Sequence, residues 1–227
     1  MKRPRSVAAR RTIDLWRAAP RRARVHTTIR WWTAPFEALE SHVPRSGRVL
    51  EVGCGHGVFS MFLALSSPDR TVVGIDIDGD KVALAQEVLR GGRSDDALPT
   101  IEHRDAGDLP MADGGWSAVV FADVLYLLPR EDRERLIADC IAALAPGGVL
   151  VIKEVDTRPR FKAWLAQFQE FLATKVLRIT RGEALDFPSA VDLQRQLSDA
   201  GLRTRVTRLD KGYVHPHCVV VGTDPRT

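Results

Sequence analysis

Val49-Leu50-Glu51-Val52-Gly53-Cys54-Gly55-His56-Gly57 is the stretch that decides the fold. A short apolar run ends in three alternating glycines, and residues 58–65 then read as the start of a helix. Such a run suits a central parallel strand buried on both faces. Glycine reaches positive φ and, lacking Cβ, lets a ligand approach the backbone. The helix that follows points its free N–H groups into the turn. A second apolar run, 71–75, ends in Asp76, with Ile77 and Asp78 after it. A carboxylate at the tip of that strand can accept hydrogen bonds from both hydroxyls of a ribose. The layout is that of a pocket for an adenosine-bearing cofactor.

The alternation continues along the chain. The pattern predicts strand 48–52, helix 57–66, strand 71–76, helix 78–90, strand 100–104, strand 117–122, helix 130–144 and strand 149–155. Gly91-Gly92 with Ser94, Asp95 and Asp96 reads as a loop. Strands alternating with helices mean a parallel α/β sheet covered on both faces. Ser189 opens another helix, with Asp192 as a capping-box-like partner, and Gly201 closes it. Segments 203–209 and 218–222 read as two more strands. In such open sheets the ligand lies outside the carboxyl ends of the strands, where the strand order reverses. Glu51, Asp76, Asp105 and Asp123 all fall at or near such ends, so four acids share one edge.

Three further motifs are ordered along the chain. Ile101-Glu102-His103-Arg104-Asp105-Ala106-Gly107-Asp108-Leu109-Pro110 puts an acid after a third strand. Trp116 to Leu125 is an apolar strand ending in Asp123. Leu144-Ala145-Pro146-Gly147-Gly148 precedes Val149-Leu150-Val151-Ile152. Together with the glycine turn and Asp76, these resemble the class I S-adenosylmethionine (SAM)-dependent methyltransferases of the small-molecule type. The resemblance covers about residues 45 to 157 well and the rest loosely. It implies a Rossmann-like doubly wound seven-stranded sheet, mostly parallel with an antiparallel C-terminal strand. It implies SAM as cofactor, with S-adenosylhomocysteine (SAH) as product. Asp76 and Ile77 would take the ribose side, and Asp105 and Ala106 the adenine. Glu51, Gly53, Cys54 and Gly55 would take the methionine end, with Asp123 beside them. The charge argument agrees: a carboxylate at Glu51 favours a sulfonium or ammonium and disfavours a pyrophosphate, which turns the reading away from NAD. The glycines also run G-x-G-x-G, not the dinucleotide G-x-G-x-x-G.

At 227 residues, 44% hydrophobic and 27% charged, the chain suits one globular α/β domain. No apolar run approaches the ~18 residues of a membrane helix. The basic start is not followed by an apolar h-region, so no signal peptide is expected. Three widely spaced cysteines, Cys54, Cys140 and Cys218, speak against a disulfide framework and fit a reducing, cytoplasmic setting. A catalytic thiol at Cys54 is the lesser reading. Arginine- and alanine-rich composition fits a GC-rich bacterial source.

The charge is unevenly placed. Residues 1–48 hold 12 Lys+Arg against 3 Asp+Glu, a net of +9, and the remainder carries −5. Residues 1–24 therefore read as a basic leader, in its plainest form a partly disordered solvated one. It could meet an acidic membrane surface, which would make the protein peripheral there, or RNA. Residues 25–227 form a single domain, with a helical cap at 25–42 and a lid-like helical insertion at 159–180. Trp16, Trp31, Trp32 and Phe36 interleave the arginines, which suits a membrane surface or a helix folded over the site.

The chemistry that the resemblance implies needs an acceptor held in line with the methyl, and water kept out. Tyr126, beyond the fourth strand, and His217 are the candidate catalytic groups. His215 and His217 flank Pro216 without a wider ligand cluster, so no metal is expected. Glu154 and Asp156 end the fifth strand and could bind a polar acceptor. The (N/D)-P-P-(Y/F) motif of many amino-methyltransferases has no counterpart at Ala122-Asp123-Val124-Leu125. A small or lipid-like acceptor methylated at oxygen or carbon is the leading expectation. An RNA methyltransferase using the leader, or a non-catalytic SAM-binding protein, are the alternatives.

Overall fold

The computed structural model describes residues 3–92, 97–155, 188–213 and 216–226. Its centre is a seven-stranded sheet of order β3-β2-β1-β4-β5-β7-β6. The strands are β1 (Gly47–Val52), β2 (Arg70–Asp76), β3 (Thr100–His103), β4 (Trp116–Ala122), β5 (Leu144–Val155), β6 (Arg203–Arg208) and β7 (His217–Thr223). The pairs β1–β2, β1–β4, β2–β3 and β4–β5 are parallel, and β7 is antiparallel to both β5 and β6. Strand order reverses beside β1, so the carboxyl ends of β1, β2 and β4 meet at one edge.

Why these runs are strands is visible in their packing. Val49, Val72, Val120, Val151 and Val219 fall in one buried cluster. Their neighbours Leu50, Val73, Val119, Leu150 and Val220 belong to the other side. A period of two with both faces covered produces continuous apolar strands. Helices α4 (Val58–Ser66) and α5 (Gly79–Arg90) cover the first face. Helices α6 (Arg130–Ala142) and α7 (Ala190–Asp199) cover the second.

Two expectations need correction. Residues 3–24 are not a solvated tail: α1 (Val7–Leu15), a 3-10 turn (Trp16–Ala18) and the start of α2 (Arg21–Thr33) lie there. With α3 (Phe36–Glu40) they form a third layer over α4. Ala9, Trp16, Ala23, Trp31 and Phe36 are buried in it. Trp31 stands edge-on to Phe62 at 5.1 Å, and Phe36 stacks on Phe59 at 5.0 Å. This layer explains why every residue from Val58 to Ala64 is buried. Burial of that apolar surface outweighs the solvation of the arginines, which stay on the outside.

The second correction is local. The fifth strand begins at Leu144, pairing with Trp116, and its register shifts before Val149 pairs with Ala118. The Pro146-Gly147 turn is a bulge within the strand, with Gly147 at φ +71°. The lid-like insertion at 159–180, Asp156, His215 and the loop at 94–96 lie outside the described residues. Among the described residues no helix is long and apolar enough to cross a membrane.

Candidate functional site

The glycine turn is built by three left-handed residues, Gly53, Gly55 and Gly57, at φ +73°, +56° and +69°. L-residues with a Cβ adopt such angles only at a cost, so glycine is required. Gly53 and Cys54 donate their N–H groups to the Ile75 carbonyl at 2.9 and 3.0 Å. Gly55 N–H donates to Asp76 Oδ2 at 2.6 Å, and Asp78 N–H donates to Asp76 Oδ1 at 2.9 Å. Asp76 thus clamps the turn at the tip of β2, and each oxygen keeps a further lone pair for a ligand. A Cβ on Gly53 would lie 2.3 Å from Val124 Cγ2, so the loop after β4 presses on the turn. A Cβ on Gly55 would meet nothing nearer than Lys81 Cδ at 4.0 Å, so that position faces open space.

Glu51 lies on the α4 side of β1, where Val49 precedes it in the core. It is buried, and Ser60 Oγ of α4 donates to its Oε2. Burial pushes its carboxyl up to about 7, against the pull of Ser60 and Arg30. Cys54 is buried beside it, and burial with Glu51 and Asp76 nearby pushes its thiol well up. A thiolate is therefore disfavoured, which removes the catalytic-thiol reading. Ile77 is 56% exposed beyond Asp76. Asp105 is exposed, and its Oδ1 accepts Gly107 N–H at 2.8 Å, which fixes the turn carrying Ala106.

Asp123 is the one non-glycine residue with positive φ among the described residues, at +59°. Two cations hold it there. Arg30, from α2, donates Nη1–H to Oδ2 at 2.6 Å and Nη2–H to the Ala122 carbonyl at 2.9 Å. Lys153, fully buried on β5, pairs with Oδ1. Burial works to raise the Asp123 carboxyl, but Lys153 and Arg30 outweigh it and hold it below the usual carboxylate range. Burial lowers Lys153, with Asp123 opposing. Glu154 points to the other face, where it accepts Leu125 N–H at 3.0 Å. Burial and then Asp123 push its carboxyl up to about 8.

The two candidate catalytic groups are both buried. Tyr126 sits in the 3-10 turn Leu125–Leu127. Burial, Asp123 and Glu154 push its hydroxyl up, so it is a donor at neutral pH and not a phenolate base. His217 shares a hydrogen bond of 2.8 Å between Nε2 and the Thr33 carbonyl, and Tyr213 stands edge-on to it. Its visible work is to tie β7 to the end of α2.

Several site residues were not singled out from the sequence. Arg30, Ser60 and Lys153 are such cases, and so is the ring cluster at the turn. There His56 lies 4.8 Å from His26 of α2 and 5.6 Å from the buried Trp16. A lone lysine inside Val149–Val155 is the signal that could have been used, since a buried lysine needs a carboxylate partner. Nothing singled out Arg30 among its neighbouring arginines.

Comparison with known proteins gives a consistent answer. A family model described as "Methyltransferase domain" matches residues 49–148. Fatty-acid O-methyltransferase of Mycolicibacterium smegmatis is 29% identical over 150 residues, 66% of this chain and 51% of that protein. The chain thus spans about half the length of that relative. Ubiquinone biosynthesis O-methyltransferase of Xanthomonas axonopodis pv. citri is 28% identical, over 77% of this chain and 76% of that protein. Among solved structures, magnesium protoporphyrin IX methyltransferase from Synechocystis PCC 6803 with bound SAH superposes with a TM-score of 0.63. It is 18% identical, and the match covers 98% of this chain and 95% of that one. At that identity the likeness speaks for the fold.

Proposed function

Because the chain belongs to the class I SAM-dependent methyltransferases, we propose that it transfers the methyl group of SAM to a small or lipid-like acceptor, at oxygen or carbon. The observation that carries the reading is the clamped glycine turn with a buried carboxylate beneath it. The residues fit the cofactor. The Cβ position of Gly55 opens onto free space, where a ligand can lie against the backbone. Asp76 keeps lone pairs for the ribose hydroxyls, with Ile77 exposed beside it. Asp105 and Ala106 would receive the adenine. Glu51, Gly53, Cys54 and Gly55 would hold the methionine end, and a carboxylate there suits its positive charges. A pyrophosphate would meet repulsion from the same group.

SAM supplies an already electrophilic methyl. The protein's part is then to align the acceptor and exclude water. Helix α2 serves as the roof, held down by Arg30 on Asp123. Tyr126, kept protonated, is suited to donate a hydrogen bond to the acceptor. His217, engaged with Thr33, is not given the role of base. The relatives' names support oxygen as the leading site of transfer. An acceptor oxygen that is ionised at neutral pH would need no base from the protein.

Calorimetric titration with SAM, SAH and NAD tests the reading. Micromolar SAM and SAH with no NAD is the expected result. Asp76→Ala should abolish SAM binding while the far-ultraviolet circular dichroism stays native. Undiminished affinity in that variant, or NAD binding in its place, would sink the assignment.

A further inference from the structure

We propose that the outer face of α2 docks the domain on an anionic lipid surface, beside the cofactor edge. The purpose of such docking, delivery of a lipid-like acceptor, rests on the functional reading above; the docking itself does not.

The first observation is unbalanced charge. Helix α2 carries Arg21, Arg22, Arg24 and Arg30 and no acidic residue. Arg30 is engaged with Asp123, but Arg21, Arg22 and Arg24 are exposed and form no ion pair among the described residues. Other surface helices are different. On α6, Arg130 pairs with Glu134 at 2.7 Å and Arg135 with Asp132 at 3.4 Å. On α7, Arg195 faces Asp192 at 3.8 Å. The three exposed arginines of α2 have no such balance among the described residues.

The second observation is where the apolar side chains lie. At 100° per residue, Arg21, Val25, Ile29 and Arg22 share one sector about 100° wide. Val25 and Ile29 are each 50% exposed there. The buried stripe Ala23, Thr27 and Trp31 is on the opposite side. Aliphatic side chains between guanidinium groups match a lipid interface, where stems and branched chains enter the headgroup region and charges meet phosphate. Trp32 falls in the same sector but is half-buried against the core. The exposed apolar side chains there are thus the aliphatic Val25 and Ile29, whereas single-stranded RNA asks for exposed aromatic platforms.

The third observation is position. His26 and Arg30 lie between the exposed sector and the buried stripe. His26 contacts His56 of the glycine turn, and Arg30 contacts the tip of β4. A surface that holds the exposed sector therefore lies next to the cofactor edge.

The test is co-flotation of the full chain with vesicles of phosphatidylcholine alone and of phosphatidylcholine with roughly one-third phosphatidylglycerol. Binding to the anionic vesicles only, weakening as salt rises, is expected. Arginines near an anionic surface contribute a factor of about five each, so Arg21→Gln/Arg22→Gln, the two arginines of that sector, should lower partitioning about 25-fold. Val25→Ser/Ile29→Ser should weaken it with the charge intact. SAH affinity is measured on the same samples; its retention in both variants reports an intact fold. Equal binding to neutral and anionic vesicles would overturn the proposal, as would binding that the arginine variant leaves unchanged. So would a folded RNA that binds tighter than the vesicles and is lost in the same variant. Failure of wild-type SAH binding would instead strike the methyltransferase reading and leave the vesicle result standing.

Discussion

Cofactor affinity should rise with pH through neutrality, and Glu51 should be the cause. Its carboxyl is buried beneath the glycine turn with Ser60 donating to it, and is raised to about 7. At that value about one-tenth is ionised at pH 6 and about nine-tenths at pH 8. A site that needs the anion to meet the methionine ammonium then binds roughly tenfold tighter at pH 8, about 1.4 kcal/mol. Glu51→Gln preserves shape and the acceptor for Ser60 but removes the charge. Its affinity should be lower at pH 8 and flat from there to pH 6, apart from titration of the ligand's own amino group. That titration is common to both proteins, so the comparison isolates Glu51. The same group acts on stability with the opposite sign. Its folded value lies above the ordinary 4.5, so its stabilising contribution is complete below about 4.5 and is lost as pH rises to about 7. The window corresponds to about 3 kcal/mol, and Glu51→Gln should remove it from urea unfolding curves. The assays are calorimetry with SAH at pH 6, 7 and 8 and unfolding from pH 4 to 8. Glu154, raised to about 8, keeps its own share of the unfolding slope in both proteins, so the deciding result is binding. An SAH affinity that changes as steeply from pH 6 to 8 in the glutamine variant as in the wild type would refute the reasoning.

Two other predictions rest on neighbouring geometry. Gly53→Ala and Gly55→Ala both place a Cβ at positive φ, which costs roughly 1–2 kcal/mol each. Only Gly53 adds a clash, with Val124 Cγ2 at 2.3 Å, so it should lose roughly 2–4 kcal/mol in urea unfolding. Gly55→Ala should lose SAH affinity with little further loss of stability; equal stability losses in the two would be the wrong outcome. Lys153→Met should destabilise by about 3–5 kcal/mol, because it strips a buried cation from Asp123 and brings Glu154 no relief. Adding Asp123→Asn should recover part of that loss, and a single-variant loss under about 1 kcal/mol would contradict the network.

The sheet was legible because its strands are buried on both faces. Leu50 and Val49 report opposite layers, and a run apolar toward both sides suits a central parallel strand and little else. Glycines at positive φ then marked the turn. The leader is deceptive because charge dominates its composition while, Trp16 apart, its buried residues are small. Ala9 and Ala23 are weak apolar signals, and Thr12 and Thr27 look polar. Both threonines are buried by bonding to their own helix, Thr12 Oγ1 to the Ala8 carbonyl at 2.9 Å and Thr27 Oγ1 to the Ala23 carbonyl at 3.0 Å. A tertiary layer made of such residues leaves little trace in a hydropathy pattern.

The site divides along a similar line. Acids at strand tips could be placed because topology sends every such tip to one edge. Their partners could not, because Arg30 stands 93 residues before Asp123 and Lys153 stands 30 after it. This changes what Asp123 can do. Both its oxygens are occupied by cations, and its backbone is held at φ +59°. A non-glycine residue in that region persists where its surroundings over-determine it. Asp123 is thus better placed to hold the roof helix and the loop after β4 in register than to grip a ligand with its carboxylate. Through Val124 that loop presses on Gly53. The cap, the tip of β4 and the glycine turn are therefore one mechanical unit, joined at a single ion-paired aspartate. A cofactor contact from this position would come from its backbone.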